Sequence, residues 1–463
     1  MNHAVTEPLT QPAASPTSRC SMFNSRTAIL TLYLAFAVTS ANAVQLHAGP
    51  MVGTVSMRSA TVWVQADGAT QAWLKYRTPG GKWQHTDKMP LTAAHHYTGH
   101  LPVTALEPGQ HYEYQVMFDN KPAAGTLSFN TQPLWQWRGD PPPFTALTGS
   151  CLYINETKYD RPGKPYGGEY GILKNMAAAK PDLTLWLGDN LYFREVDYGS
   201  PLDMPLRYQR DRALPALQAL LQTGQHYAIW DDHDYGSDDS NKSFIFKGES
   251  LALFKDYWAN PSYGMPDTPG VFTKISFNDV DFFLLDDRYY RDDQTMQDGP
   301  DKAMFGKSQM DWLRNALLGS RATFKVIAAG GQMLNDENKW EGWQGYSEER
   351  QRFLVWLAEA HINGVLFLSG DRHQTELLKL PRADTYPLYE LTCSPITSSS
   401  HNVSSAAKNP VLVEGTLVGE RNYCTMSFSG PFKQRVMDVK SFNVDGKQLW
   451  EQRIELKELT SAK

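Results

Sequence analysis

Short apolar segments that alternate with segments of helical spacing dominate this sequence from about residue 144 onward. The apolar runs span four to six residues, and this alternation is typical of an α/β fold with parallel strands. In such folds ligands bind beyond the carboxyl ends of the strands, where the connecting loops converge. The pattern therefore predicts one site formed by loops from several strands. The expected strands are 144–148, 182–187, 227–230, 280–285, 324–329 and 365–368.

Polar clusters directly follow five of these expected strands. Each cluster alone has a structural explanation, such as a turn, a helix cap or an ion pair. All five together are better explained by convergence on one site. A buried group of this many carboxylates would repel itself unless cations neutralised it, so the clusters predict a metal pair or cluster. The clusters are Gly149-Ser-Cys151, Gly188-Asp-Asn-Leu-Tyr192, Trp230-Asp-Asp-His-Asp234, Leu285-Asp-Asp-Arg288 and Ser369-Gly-Asp-Arg-His373.

Residue types within the clusters narrow the choice of metal. Asp189 is the expected bridging ligand, because it follows an apolar strand and the flexible Gly188. Tyr192 lies three residues further on, so that one turn can place its phenol oxygen beside that carboxylate. A phenol deprotonates near neutral pH only beside a strong Lewis acid such as Fe(III). Cys151, as a thiolate, suits iron or zinc better than calcium or magnesium.

Residues 44–138 carry a different pattern, with β-rich segments separated by Gly and Pro turns. The stretch Leu106-Glu-Pro-Gly-Gln-His-Tyr-Glu-Tyr114 resembles a corner of fibronectin-III-like sandwiches. The Pro-rich bridge Gly139-Asp-Pro-Pro-Pro143 is a stiff boundary. The sequence therefore predicts an N-terminal β-sandwich domain at 44–138, followed by a larger α/β (α+β) domain at 144–463.

The first 43 residues have the features of a secretory signal peptide. Arg26 precedes the apolar run 27–38, and the small-x-small sequence Ala41-Asn-Ala43 provides a cleavage site. The alternative is a membrane anchor, but a spanning helix needs about 20 apolar residues and this run is shorter. An adjacent arginine pair is missing, which favours export of the unfolded chain. We expect the mature protein to be periplasmic or secreted.

Charge and cysteine content exclude other classes of protein. The net charge of −6 disfavours general binding to nucleic acid, because neutralising phosphates requires a basic surface. Four cysteines in 463 residues exclude a disulfide-built scaffold. Cys20 leaves with the signal peptide, and Cys393 and Cys424 either form a disulfide or stay as two buried thiols. The mature sequence has no further segment apolar enough to span a bilayer.

The ordered set of motifs resembles that of the PhoD-type alkaline phosphatases, a branch of the calcineurin-like metallophosphoesterases. The motifs Gly-Ser-Cys, Gly-Asp-x-x-Tyr, Trp-Asp-Asp-His, Asp-x-Arg and Ser-Gly-Asp-x-His occur in the family's order. The segment 305–313, with Trp343 and Gly345-Tyr346, extends the resemblance over nearly the whole mature chain. It implies a four-layer metallophosphoesterase catalytic domain behind the sandwich. The implied protein is an exported enzyme that hydrolyses small phosphate esters.

The resemblance also implies a metal pair, Fe(III) with Ca(II), for which zinc, manganese and magnesium are alternatives. Asp189 would bridge the two cations, and Asp371 would help to hold the second. Asp232 and Asp238 are alternatives for one further ligand position, and the sequence does not decide between them. The implied ligands of iron are Cys151, Asp189, Tyr192 and His373.

The implied reaction is in-line attack on phosphorus by a water molecule held between the metals. His233 is implied to contact the phosphate or donate a proton to the leaving group. Arg288 would hold two phosphoryl oxygens in its planar fork, and Asn190 and Arg372 are further candidates for substrate contact. The alternatives are a phosphodiesterase or phospholipase-type hydrolase on the same site and a non-catalytic surface-binding protein. The oligomeric state stays open.

Overall fold

Two large β-sheets form the centre of the molecule in a computed structural model that describes residues 43–338 and 340–461. The described residues from Val44 onward form one compact unit. The expected signal peptide, including Cys20, lies outside the described residues except for Ala43. Within the described ranges, no helix is both long and apolar enough to cross a membrane.

Twenty-three strands and seven α-helices occur among the described residues. All six strands expected after residue 144 are present, with ends within two residues of the expected bounds. The strands are β1 (Leu46–Val55), β2 (Ala60–Ala66), β3 (Thr70–Arg77), β4 (Gln84–His85), β5 (Met89–Leu91), β6 (Thr98–Val103), β7 (His111–Phe118), β8 (Lys121–Pro122), β9 (Leu127–Asn130), β10 (Phe144–Gly149), β11 (Leu183–Leu187), β12 (Gln225–Ile229), β13 (Gly264–Met265), β14 (Thr268–Pro269), β15 (Thr273–Phe277), β16 (Val280–Leu284), β17 (Phe324–Ala328), β18 (Val365–Ser369), β19 (Glu376–Leu380), β20 (Leu388–Thr392), β21 (Asn422–Ser429), β22 (Val436–Asn443) and β23 (Gln448–Glu455). The α-helices are α1 (Gly171–Ala178), α2 (Met204–Arg212), α3 (Pro215–Leu221), α4 (Asp232–Tyr235), α5 (Lys247–Tyr257), α6 (Lys307–Gly319) and α7 (Ser347–Glu359).

The larger sheet has nine strands in the order β23-β22-β21-β10-β11-β12-β1-β2-β6. Strands β10, β11 and β12 are parallel, and β21 lies antiparallel to β10. Strand β1 pairs in parallel with β12, where Val52 lies opposite Gln225. Three N-terminal strands therefore extend the same sheet that carries the first polar clusters.

The second sheet has six strands in the order β15-β16-β17-β18-β20-β19, of which β16, β17, β18 and β20 are parallel. The two sheets pack against each other through buried rings: Phe428 of β21 lies 5.5 Å from Phe324 and 6.3 Å from Phe282, centroid to centroid. Removing such apolar surface from water stabilises the fold by about 25 cal/mol per Å². A mixed α/β fold with several sheets is confirmed.

Strands of the N-terminal residues form two layers around a core of their own. The second layer there has β4, β3, β7 and β8 in order, with β5 on β3 and β9 on β7. Val62 of β2, Leu74 of β3 and Val116 of β7 are fully buried in one cluster. Alternation of apolar and polar residues along these strands directs one face of each layer into this core.

A disulfide joins the two large sheets. Cys393 directly follows β20 of the six-stranded sheet, and Cys424 lies within β21 of the nine-stranded sheet. Their sulfur atoms are 2.11 Å apart, and both residues are fully buried. Of the two alternatives left open by the sequence, the structure has the disulfide.

Candidate metal centre

Four of the expected ligands lie together beyond the carboxyl ends of β10, β11 and β18. Asp189 Oδ2 lies 3.5 Å from Cys151 Sγ and 2.9 Å from the hydroxyl oxygen of Tyr192. That hydroxyl oxygen is 3.4 Å from Nε2 of His373. Ligand atoms of Cys151, Asp189 and His373 all lie within 4.8 Å of one another, and the three residues are buried. Convergence of loops from both sheets therefore creates a mixed sulfur, oxygen and nitrogen donor set.

The backbone at four residues of this region is left-handed. The φ angle is 62° at Cys151, 50° at Asp189, 62° at Asp371 and 54° at His373. Residues other than glycine adopt this conformation uncommonly, at a cost of about 1–3 kcal/mol each. Each of these residues lies within four positions of the end of a strand, so the turn directs its side chain across the sheet edge. Such strained residues cluster at functional sites.

The carboxyl group of Asp189, at the centre of this group, lacks partners that would stabilise its ionised form. Asp189 Oδ1 is buried and has no hydrogen-bond partner in the described part of the chain. Burial raises the pKa of Asp189 well above its usual value, and the nearby Cys151 and Asp232 raise it further. Burial also raises the pKa of the Cys151 thiol to about 11 and that of Asp371 to about 6. A bound cation would favour the ionised forms of all these groups, so the residues fit a metal site.

A second group of ligand atoms shares Asp189. Atoms of Asp189, Asp232 and His233 lie within 4.8 Å of one another. Burial would raise the pKa of Asp232, but the nearby His233 and Arg288 outweigh it and lower that pKa to about 2. The alternative residue, Asp238, has a side chain that is 74% exposed and lies 3.4 Å from His233 Nε2. The structure therefore brings Asp232 to Asp189 and leaves Asp238 at the surface.

A third acidic group adjoins the second and was missed by the sequence analysis. Ligand atoms of Asp232, Asp239 and Glu341 lie within 4.8 Å of one another. Gln294 links the loops, because its Nε2 donates to Asp239 Oδ2 at 3.2 Å and its Oε1 accepts from the Glu341 N–H at 3.3 Å. Burial, with Glu341 nearby, raises the pKa of Asp239 to about 7. Glu341 lies 13 residues beyond the end of β17, too far for a strand-end pattern to reveal it.

Arg288, which the sequence predicts to hold phosphate oxygens, lies within a network of carboxylates. Its side chain is fully buried. Nε donates to Asp231 Oδ1 and Nη1 donates to Glu341 Oε1, each at 2.5 Å, while Nη2 lies 3.9 Å from Asp232 Oδ1. Carboxylates already occupy the planar fork, so its geometry serves to orient them.

Asn190, which the sequence predicts to contact substrate, is buried and its amide nitrogen is bonded within the fold. Its Nδ2 donates to Ile229 O at 2.7 Å and to Asp234 Oδ2 at 2.6 Å. Asp234 also accepts from the backbone N–H groups of Asp189, Asn190 and Asp231. The pair therefore fixes the loop after β11 against the start of α4, and so holds the bridging carboxylate in place.

Two of the residues predicted to contact substrate, His233 and Arg372, have partly exposed side chains. The His233 side chain is 22% exposed, and its ring packs against that of Tyr192 at a tilt of 35°, with 4.2 Å between centroids. The Arg372 side chain is 20% exposed, and its Nη1 lies 3.9 Å from Asp371 Oδ2. Arg372 Nε has no hydrogen-bond partner within residues 43–338 and 340–461. Both side chains can therefore meet a ligand that approaches from solvent.

Two models of protein families match this chain. The model described as PhoD-like phosphatase matches residues 150–439, which is more than half of the chain and includes every residue of the metal centre. This chain belongs to the PhoD-like phosphatase family. A second model, described as a domain of unknown function (DUF7800), matches residues 43–133 of this PhoD-like protein.

Individual proteins similar to this PhoD-like chain include a curated phosphatase and two solved structures. Alkaline phosphatase D of Bacillus subtilis (strain 168) is 27% identical over 254 residues, 44% of this chain. The match spans 43% of that curated relative, less than half of its length. A solved structure of PhoD has a TM-score of 0.71 at 18% identity, covering 87% of this chain and 91% of that one. Purple acid phosphatase PPD1 from yellow lupin (Lupinus luteus) seeds has a TM-score of 0.61 at 10% identity, covering 88% and 74%. At these identities the two structures show a shared fold.

Proposed function

We propose that this PhoD-like chain is an exported, metal-dependent hydrolase of phosphoric esters. The observation that carries the proposal is that two groups of ligand atoms share Asp189, one with Cys151 and His373, the other with Asp232 and His233. A shared carboxylate suits a pair of metals about 3.5–4 Å apart, the spacing used in phosphate ester hydrolysis. Family membership and the likeness to alkaline phosphatase D support the same reaction class.

The proposed metal pair is Fe(III) with Ca(II). Cys151, Tyr192 and His373 offer the sulfur, phenol oxygen and imidazole nitrogen that suit iron. The carboxylates of Asp232 and Asp371 suit calcium, and zinc, manganese or magnesium are the alternatives for the metals. When bound, such a pair supplies Lewis acidity that activates water and neutralises charge on the phosphoryl oxygens.

The protein's own side chains position the ester and move a proton. The His233 side chain is partly exposed, so its Nε2 can donate a proton to the leaving-group oxygen or hydrogen-bond the phosphoryl group. Arg372 provides a fork of donors for non-bridging oxygens. Arg288 orients Asp231, Asp232 and Glu341 from behind and is a positioning residue.

Substrate preference is tested with a chromogenic phosphate monoester and the matching diester, which release the same leaving group. We expect a higher kcat/KM for the monoester with the purified chain. A higher value for the diester would favour the phosphodiesterase or phospholipase-type alternative, and no turnover of either ester would contradict the proposed function.

Replacement of Asp232 by alanine is expected to weaken metal binding, whereas Asp238→Ala is the matched control. Asp232 is buried beside Asp189, and Asp238 is exposed. Loss of a direct ligand should exceed the ~10–100-fold loss of affinity that follows removal of an outer partner. Metal titration of both variants by calorimetry measures this difference. Equal losses, or a larger loss in Asp238→Ala, would assign the ligand position to Asp238.

The proposal also includes export of the chain and its division into a signal peptide and two domains. We assign residues 1–43 to a signal peptide, 44–138 to a fibronectin-III-like β-sandwich and 144–463 to a four-layer metallophosphoesterase domain. The separate core of the N-terminal strands supports the sandwich. The buried disulfide supports a periplasmic or secreted location, because disulfides persist in oxidising compartments.

A further inference from the structure

Ligands of the proposed metal centre come from both large sheets. Cys151, Asp189 and His233 follow β10, β11 and β12 of the nine-stranded sheet. His373 follows β18 of the six-stranded sheet. A change in the spacing of the two sheets would therefore change the distance between Cys151 and His373. Functional constellations require side chains to be held within about 0.5 Å of the working geometry.

One short segment, residues 394–399, touches both of these ligands; we call it the cradle segment. Ser394 Oγ donates to Cys151 Sγ at 3.0 Å and accepts from the backbone N–H of His373 at 3.0 Å. The backbone N–H groups of Thr397 and Ser398 donate to Cys151 O at 3.2 and 3.1 Å. The buried Ser394 hydroxyl thus links the two ligands directly.

The cradle segment also holds the neighbours of these ligands. The N–H of Ile396 donates to Ser150 O at 2.9 Å. The carbonyl oxygen of Ser399 lies 2.5 Å from His373 Nδ1, which leaves Nε2 directed toward Tyr192. Fixing one ring nitrogen of a ligating histidine in this way selects its tautomer and the orientation of its ring.

The disulfide lies immediately before the cradle segment. Cys393 precedes Ser394, and its Sγ is 3.6 Å from Thr148 O in β10. Cys424 lies opposite Thr148 in the pairing of β10 with β21. Thr148 comes three residues before Cys151 in the sequence. The covalent bond therefore ties the start of the cradle segment to β21, which is hydrogen-bonded to β10, the strand that delivers Cys151.

We propose that the Cys393–Cys424 disulfide is a positioning element of the metal centre, which sets the spacing of Cys151 and His373 through the cradle segment. This inference rests on the proposed metal site. Without the disulfide, hydrogen bonds and the packing of Ile396 still hold residues 394–399, but the ligands from the two sheets gain freedom that a metal must then remove. The centre retains its cations firmly only in the oxidised chain, as found after export.

The test compares metal retention in three purified full-length chains: wild type, Cys393→Ala with Cys424→Ala, and Met437→Ala. Met437 is a buried residue of β22 outside the cradle segment and serves as a destabilised control. Each protein is loaded with iron and calcium and mixed with a chelator, and metal loss is followed by mass spectrometry. We expect the cysteine variant to lose metal at least about tenfold faster, as for loss of an outer partner, and the control to match wild type.

Hydrogen exchange of the metal-free proteins provides a second readout. Faster exchange confined to residues 394–399 in the cysteine variant would support the proposal. A folded cysteine variant that keeps wild-type metal loss and wild-type exchange would overturn it. Equally fast metal loss from Met437→Ala would also overturn it, because general destabilisation would then explain the result.

Ser394→Ala decides the question if the cysteine variant does not fold. This variant keeps the disulfide but loses the hydroxyl that links Cys151 to His373. We expect this variant to lose metal at least about tenfold faster than wild type, and an unchanged rate would overturn the proposal. A wild-type chain that binds no metal at all would refute the proposed function itself, which distinguishes the two failures.

Discussion

Replacing Asp189 by alanine is expected to lower kcat/KM for a phosphate monoester by about a thousandfold or more, equivalent to about 4 kcal/mol of transition-state stabilisation. Asp189 belongs to both groups of ligand atoms, so its loss affects both proposed metal positions. Bound metal, measured on the same preparation by mass spectrometry, should fall together with activity.

Asp182→Ala is the matched control for this variant. Asp182 lies directly before β11, whereas Asp189 lies beyond the opposite end of that strand. The carboxylate of Asp182 accepts a hydrogen bond from the Thr145 N–H at 2.8 Å. We expect this control to retain its metal and to change kcat/KM by less than about threefold, or about 0.65 kcal/mol. An Asp189→Ala protein that keeps both its metal and its activity would contradict the assignment of the bridging ligand.

Replacing Arg288 by methionine is expected to lower the free energy of unfolding by about 3–5 kcal/mol. The variant leaves the buried Asp231 without its cationic partner, whereas Glu341 keeps Arg291. Urea unfolding followed by circular dichroism measures the change. The control is Arg453→Met, which removes an exposed pair with Asp438 and should cost less than about 1 kcal/mol.

The Arg288 experiment also separates a positioning role from direct phosphate binding. A protein of unchanged stability with a raised KM and a weakened affinity for inorganic phosphate would show that Arg288 contacts the substrate. That result would confirm the role predicted from the sequence and contradict a purely positioning role. Large destabilisation with faster metal loss would agree with the network.

The strand positions and the core of the site could be predicted from sequence, because both follow from local pattern. Apolar runs of four to six residues identify buried parallel strands, and parallel strands deliver their following residues to one edge. Cys151, Asp189, Tyr192 and His373 therefore meet as expected. Their roles as ligands stay a proposal that metal analysis tests.

Side-chain direction could not be predicted in the same way. Arg288 and Asn190 belong to strand-end clusters, yet both are directed inward, because nearby buried carboxylates offer them partners. Glu341 comes from a long loop after β17, and no local pattern marks it. The sequence pattern also did not reveal that β1 pairs with β12, because Val52 and Gln225 are far apart in the sequence.

Metal dependence of the hydrolysis is the measurement that tests the central claim most directly. The purified chain is dialysed against a chelator, its metal content is determined, and its activity on a chromogenic monoester is measured before and after iron and calcium are restored. Removal of about two metal equivalents is expected to abolish activity, and their return to restore it. Full activity in a chain that contains neither metal would contradict the account.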